Sequence, residues 1–375
     1  MKLIHLSDLH LGKRIFGVSL MEDQAFILQR ILEAVRTERP EAVIIAGDVY
    51  DKPVPPAEAV QLFDRFIACL SEMGIKILLI SGNHDSPERL AFGRQLLQNT
   101  GMYVSPVFQG GLKRVCLEDE FGPVWFYLMP FLKPSIVRRA YEEEEILTYQ
   151  DGVRAALSHT DVDPCLRNVL VAHQFVTGAV CCESEELSVG GVDQIDGGLF
   201  DAFDYVALGH LHSPQRVGRD TMRYCGTALK YSFSEASQTK SLTVVELEEK
   251  GRIKLRFLPL SPLRDMRCLK GSYEALMKAG LQGGKEKEDY LSVVLTDEED
   301  IIDGMQKLRT VYPNLLRLSY ENERTRFDQD ITGFPERENK TELALFEEFY
   351  QLQNNQSMTP EQREYIRGLL EDMKG

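Results

Sequence analysis

Five apolar stretches in this 375-residue chain each run straight into a short polar motif, and no other feature of the sequence constrains the fold as tightly. Residues 75–80 lead into Gly82-Asn83-His84-Asp85. Residues 3–7 lead into Asp8-Leu9-His10, and residues 42–46 into Gly47-Asp48-Val49-Tyr50-Asp51. Later, residues 169–172 end in His173 and residues 205–208 in Gly209-His210-Leu211-His212. Short apolar runs bounded in this way read as buried strands. A side chain at a strand end is held by the sheet while its tip stays accessible. Five such ends can deliver aspartates, an asparagine and histidines to one face. The chain has only seven histidines, and five of them, His10, His84, His173, His210 and His212, fall in these segments. His5, inside the first strand, and His159, after an amphipathic helix, read as structural.

From residue 2 to residue 100 strand and helix alternate. Residues 21–39 carry Phe26, Ile27, Ile31, Leu32 and Val35 at helical spacing, and residues 56–73 carry Val60, Phe63, Phe66, Ile67 and Leu70. Pro55-Pro56 suits the start of the second helix and Gly74 its end. Alternation of this kind predicts parallel pairing with right-handed crossovers and a site at the carboxyl ends of the strands. Residues 103–130 read as further strands, including 124–128, followed by helical segments as far as His159. Beyond His212, alternation at 222–225, 241–246 and 253–258 suggests a second, antiparallel-containing sheet.

Near residues 259–263 the composition breaks and a small unit begins. Strands are expected at 266–269, 290–295 and 315–320, and helices at 273–279 and 299–309. Residues 321–339 are polar, with Gly333 and Pro335, and read as a linker. Two amphipathic helices follow. The first presents Leu343, Phe346, Phe349 and Tyr350; the second opens with the cap Thr359-Pro360-Glu361-Gln362 and presents Tyr365, Ile366, Leu369, Leu370 and Met373. With no core of their own, they need a surface to bury against. The expected division is therefore 1–262, 263–320, a linker at 321–339 and a helical segment at 340–375.

A net charge of −15 opposes generic nucleic-acid binding. The acid is uneven, however, with runs at 142–145, 183–186 and 297–300, and bound cations would invert the charge at a metal site. Lys13-Arg14, Lys113-Arg114, Arg138-Arg139 and the trio Arg216, Arg219 and Arg223 form basic clusters, each of which reads by itself as a solvated face. Seven cysteines without a C-x-x-C pair form neither a disulfide framework nor a zinc site, and Cys181-Cys182 read as reduced thiols. No signal peptide is evident, and no apolar run approaches the ~20 residues of a bilayer span, so a cytoplasmic address is expected.

The ordered set Asp-x-His, Gly-Asp-x-x-Asp, Gly-Asn-His-Asp, His and Gly-His-x-His resembles that of the calcineurin-like metallophosphoesterases. Residues 5–85, 209–215 and 226–235 are similar, more narrowly, to the nuclease subunits of bacterial double-strand-break processing complexes, closely so over about the first two thirds of the chain. The spacing gives only α/β. The resemblance implies a four-layer α/β/β/α sandwich with a small α+β capping domain and C-terminal helices. It also implies a binuclear centre in which Asp8, His10, Asp48 and His212 hold one ion and Asp48, Asn83, His173 and His210 the other, with Asp48 bridging. His84 becomes a catalytic non-ligand that stabilises charge on the phosphate or protonates the leaving oxygen. Asp51 resembles the dyad aspartate that would orient His84, at a position where archaeal and eukaryotic relatives carry histidine. Asp85 is expected to bond within its own turn.

Imidazole, carboxylate and amide oxygen without thiolate suit Mn²⁺ or Fe²⁺ better than Ca²⁺ or structural zinc; two Mn²⁺ are expected, with Mg²⁺ or Fe²⁺ as the other options. The implied activity is that of a manganese-dependent DNA exonuclease and endonuclease. The small unit would hold DNA over the site, and the terminal helices would dock on the coiled-coil root of an SMC-like ATPase subunit. Two nuclease subunits would pair through helices of the first domain, as a homodimer within a heterotetramer. A phosphoesterase of the same fold acting on a small nucleotide or lipid phosphodiester is the alternative, and it would need neither the cap nor the terminal helices.

Overall fold

The computed structural model describes residues 1–185, 193–322, 341–354 and 356–372, and its contacts divide the chain into two units, Met1–Asp265 and Met266–Gly375. Of the expected linker, residues 323–339 lie outside the described residues.

The first unit opens with β1 (Lys2–Leu6), buried at every position but the first. It is followed by α1 (Met21–Glu38), β2 (Ala42–Ala46), α2 (Ala57–Glu72), β3 (Lys76–Ile80) and β4 (Met102–Val104). Helix α1 has Glu22 and Asp23 in its first turn and Arg36 in its last, matching the helix dipole, and it stops where Arg39 turns left-handed. Next come β5 (Lys113–Asp119) and β6 (Gly122–Met129), then α3 (Pro134–Ala140) and α4 (Tyr149–Ser158). The unit ends with β7 (Arg167–His173), β8 (Tyr205–Gly209), β9 (Gln215–Val217), β10 (Arg219–Tyr224), β11 (Ser241–Leu247) and β12 (Ile253–Pro259).

Two six-stranded sheets result, in the orders β12-β11-β1-β2-β3-β4 and β9-β10-β8-β7-β6-β5. Strands β1 to β4 are parallel, as are β6, β7, β8 and β10. One expectation is corrected here: the segments at 241–246 and 253–258 do not build the second sheet. They form a hairpin that returns to the first and pairs antiparallel with β1, with Lys2 opposite Glu246 and His5 opposite Thr243. The free edge of β1 needs a partner, and alternation within a strand does not say which sheet it joins.

The sheets face one another across a core in which Leu3, Ile44 and Ile80 meet Phe126, Val171 and Ala207. The opposite face of the second sheet, with Tyr127, Leu170 and Val206, packs on Val137 of α3 and Val153 of α4. On the first sheet Val43 and Ile45 alternate to the outer side, and α1 and α2 bury Ile31, Val35, Phe63 and Phe66. Truncating a central ring such as Phe126 to alanine would cost about 3–5 kcal/mol. The four layers place the carboxyl ends of β1, β2, β3, β7 and β8 where the polar motifs begin.

The second unit is a parallel three-stranded sheet, β13 (Met266–Gly271), β14 (Tyr290–Leu295) and β15 (Leu315–Tyr320), with crossover helices α5 (Tyr273–Gln282) and α6 (Gly304–Arg309). Leu291, Val293, Leu308 and Leu315 fill its core. Helix α6 starts at Gly304 rather than at 299, because Asp303 is held left-handed at its amino end and the acidic residues before it form a bend. Helices α7 (Glu342–Asn354) and α8 (Pro360–Asp372) pack on each other. The cap at Thr359 forms as the sequence predicts: Thr359 N–H donates to Gln362 Oε1 and Gln362 N–H to Thr359 Oγ1. Phe349 and Tyr365 remain 57% and 69% exposed.

Candidate metal centre

Three of the five motifs leave their strands through a sharp reversal. Asp8, His10, Asp48 and His210 all have positive φ, between 43° and 103°, and they make up four of the seven non-glycine residues so placed among the described residues. A left-handed backbone is costly for these side chains and persists where the surroundings over-determine it. Here the loops after β1 and β2 brace one another: Asp8 N–H donates to Gly47 O, His10 N–H to Asp48 O and Leu11 N–H to Val49 O, at 2.9–3.0 Å. The motif glycines leave the room this requires. A Cβ on Gly209 would stand 1.9 Å from Ala46 O, one on Gly82 2.1 Å from Asp48 Oδ1, and one on Gly47 2.3 Å from His173 Nδ1.

The seven residues expected as ligands converge. Asp48 is central, with Oδ2 3.3 Å from His173 Nε2 and 3.8 Å from His10 Nε2, while Oδ1 accepts the His84 amide at 2.9 Å. On one side His10 Nε2 lies 3.1 Å from His212 Nε2 and 4.0 Å from Asp8 Oδ1. On the other, Asn83 Oδ1 lies 3.0 Å from both His173 Nε2 and His210 Nδ1. Asp8, Asp48, His10, His173, His210 and His212 are all buried.

The donor set fits a pair of divalent cations. His173 donates its Nδ1–H to Ala46 O at 2.8 Å, which turns Nε2 towards two oxygens, of Asn83 and Asp48. Burial alone would lower the pKa of His173, yet the Asp48 carboxylate raises it to about 9. The pocket thus draws positive charge. The reciprocal effect on Asp48 outweighs its own burial and holds its carboxyl far below the usual range. Burial and the neighbouring His173 push His210 down to about 3, so it is a neutral donor.

His84 Nδ1 donates to the main-chain oxygen of Asp51 at 3.1 Å, leaving Nε2 as its only free ring nitrogen. This corrects the expected dyad: the Asp51 carboxylate is taken by Lys13 Nζ at 2.7 Å, so the residue orients His84 through its carbonyl. The His84 ring stands edge-on to His10, 4.9 Å between centroids. Asp85 reaches beyond its own turn, accepting from Gly82 N–H but also from Val49 and Tyr50 N–H, and so ties the loop after β3 to that after β2. His5 bonds the Tyr205 hydroxyl, and His159 pairs with Glu144 and stacks on Tyr141.

Sequence reasoning missed the shell behind the donors. Ser184 Oγ lies 2.7 Å from His212 Nδ1 and donates to Glu235 Oε1 at 2.7 Å; Glu235 Oε2 pairs with Lys240 Nζ at 2.5 Å, and Lys240 donates back to His212 O. Gln24 Nε2 donates to His10 O and lies 3.2 Å from the Tyr231 hydroxyl, which itself bonds Leu9 O. Tyr231 and Glu235 fall within the block 226–235 that carried part of the resemblance. Nothing local marked Ser184, Lys240 or Gln24.

Residues 1–214 match the family described as calcineurin-like phosphoesterase, and residues 262–354 the one described as type 5 capsule protein repressor C-terminal domain. The chain is 38% identical over 323 residues to the SbcD subunit of the nuclease SbcCD from Staphylococcus saprophyticus, covering 85% of this chain and 84% of the relative. It is 34% identical over 375 residues to the SbcD subunit of the same nuclease from Staphylococcus epidermidis, covering 99% and 98%. A dimetal phosphatase from Danio rerio, 12% identical, aligns over 70% of this chain and 98% of that one with a TM-score of 0.41. With every donor described above inside the matched residues 1–214, and with the two staphylococcal subunits alike to it over most of their length, the chain belongs to the calcineurin-like phosphoesterase family, in the group of SbcD nuclease subunits.

Proposed function

We propose that this hydrolase is a manganese-dependent DNA nuclease, cutting duplex ends as an exonuclease and single strands or hairpins as an endonuclease, in concert with an SbcC-type SMC-like ATPase subunit. The observation that carries the reading is one carboxylate shared by two donor sets, Asp48 Oδ2 facing His10 and His173 at 3.8 and 3.3 Å. Asp8, His10, Asp48 and His212 would hold one ion, and Asp48, Asn83, His173 and His210 the other. When bound, two such ions would activate a water and offset the charge on the phosphate oxygens. His84, positioned by the Asp51 carbonyl, keeps Nε2 free to carry a proton to the leaving oxygen.

DNA as substrate and the ATPase as partner are supported by the likeness to SbcCD nuclease subunits. The second unit would contribute to DNA binding. The exposed Phe349 and Tyr365 on the terminal helices give an amphipathic ATPase partner something to cover. Phe92 and Leu96, 85% and 75% exposed in the first unit, suit pairing of two copies within a heterotetramer. Among the described residues no helix is long and apolar enough to cross a membrane, and the repair and recombination role implied for such a nuclease calls for a cytoplasmic address.

The test sets a hairpin-ended duplex beside bis-p-nitrophenyl phosphate as a minimal diester. Manganese-stimulated hairpin cutting is expected. His84→Ala should lower it about 10²–10⁴-fold while elemental analysis still finds two ions. Hydrolysis of the small diester without any DNA cutting would favour a small-molecule phosphodiesterase.

A further inference from the structure

Next to the candidate metal centre the first unit holds a cavity of about 450 Å³ that none of the steps above uses. Phe108, Phe131 and Ile136 are among its apolar walls, and Glu88, Gln109 and Arg139 are polar members of its lining. Phe131 is the wall it shares with the centre. That ring lies 6.1 Å from the His210 ring, 23° from parallel, and 6.1 Å edge-on from His173. Its amide donates to Ser81 O at 2.9 Å, fixing the loop after β6 against the end of β3. The lining also includes Pro87 and Glu88, a few residues beyond His84. An occupant therefore touches a ring that itself packs against the imidazoles of one donor set, and it lies close to the segment that carries the proposed proton donor.

The chemistry of the lining narrows the occupant. Lys133, outside the lining, places Nζ 6.0 Å over the Phe131 ring, and Arg139, within it, is exposed without an ion-pair partner among the described residues, so two cations flank the cavity and attract anions. Glu88, an exposed member of the lining whose carboxylate accepts from Ser86 Oγ at 2.9 Å, repels a phosphate but suits the exocyclic amine of a base. An aromatic face accepts any base, because every base has a π-face. The volume falls within the roughly 300–1,000 Å³ usual for ligand pockets.

Resting on the nuclease reading, we infer that this cavity seats the nucleobase adjoining the scissile phosphate, packed on Phe131, with Lys133 and Arg139 meeting the neighbouring backbone phosphates. A base stacked inside a duplex cannot enter it without leaving the stack. The subsite therefore selects strands that are unpaired next to the cut, such as hairpin loops and frayed ends.

The experiment uses the full manganese-loaded chain and two DNA hairpins with the same stem, one with natural bases in the loop and one with abasic residues there. The natural loop is expected to show a KM about tenfold lower or better, the scale of one base–aromatic stack. In Phe131→Leu, which keeps an apolar wall without an aromatic face, and in Ile136→Trp, which fills the space, the ratio of the two KM values should fall towards one. Because the readout is a ratio between substrates, partial loss of folded protein cancels. Equal KM values in the unsubstituted protein, or a tenfold ratio that survives in both variants, would overturn the inference while leaving the nuclease reading intact. Hydrolysis of bis-p-nitrophenyl phosphate with neither hairpin cut would overturn both.

Discussion

His173 and His212 hold corresponding places in the two donor sets, yet what stands behind them differs. The outer nitrogen of His173 bonds a main-chain carbonyl, Ala46 O, and its ring is crowded by Gly47 and Gly209, so its orientation is set by the packing of two strands from opposite sheets. His212 is set by a side-chain relay through Ser184, Glu235 and Lys240. One half of the centre is therefore as rigid as the sandwich itself, while the other depends on a buried ion pair that chemistry can adjust. A backbone brace fails only when the fold is disturbed; a relay can be weakened in steps.

The comparison can be broken most severely at the carboxylate the halves share. Asp48→Ala should empty both positions and abolish phosphodiester hydrolysis; a variant that still holds two manganese ions by elemental analysis would show that the bridge is misassigned. Next in size is Gly209→Ala. A methyl 1.9 Å from Ala46 O forces the sheets apart at His173, so the melting temperature should drop by roughly 10 °C. In crystals of this variant soaked with manganese, anomalous density should remain only at the His10–His212 side. Glu235→Gln should be milder, weakening manganese at that same side about 10–100-fold by titration calorimetry and leaving the His173 side unchanged.

Smallest is the acid response. Burial would raise Glu235, but the His212 ring 3.9 Å away and the ion pair with Lys240 hold it at about 2, below the 4.5 of an ordinary glutamate. Lys240 is itself lowered, losing more to burial than its bonds to Glu235 restore. The stability that Glu235 contributes is complete above pH 4.5 and is lost as the pH falls through that value towards 2. Acid unfolding followed by circular dichroism should be shallower in this window for Glu235→Gln.

The candidate donors were legible because each ends an apolar strand, and a change from apolar to ligating residues is a local event. Their supports were not. Ser184, Glu235 and Lys240 come from connecting segments whose side chains gain meaning only from a partner far away in sequence. Asp51 was read for its carboxylate, which the sequence displays, whereas its carbonyl meets His84, which the sequence cannot display. The four layers followed from strand and helix alternation together with the family likeness. The destination of the hairpin at 241–259 did not, since alternation fixes which face of a strand is buried and leaves its neighbour open.

That hairpin has a consequence for biogenesis. One flank of β1 is occupied by β2, some forty residues on, but the other must wait for β11, whose residues 243–246 are made last among its partners. At about 5–20 residues per second on a ribosome, the opening strand spends about 10–50 s with one row of amides and carbonyls bare. The nascent chain thus carries an adhesive flank until nearly all of its first unit has emerged, which makes it a natural client for chaperones during synthesis.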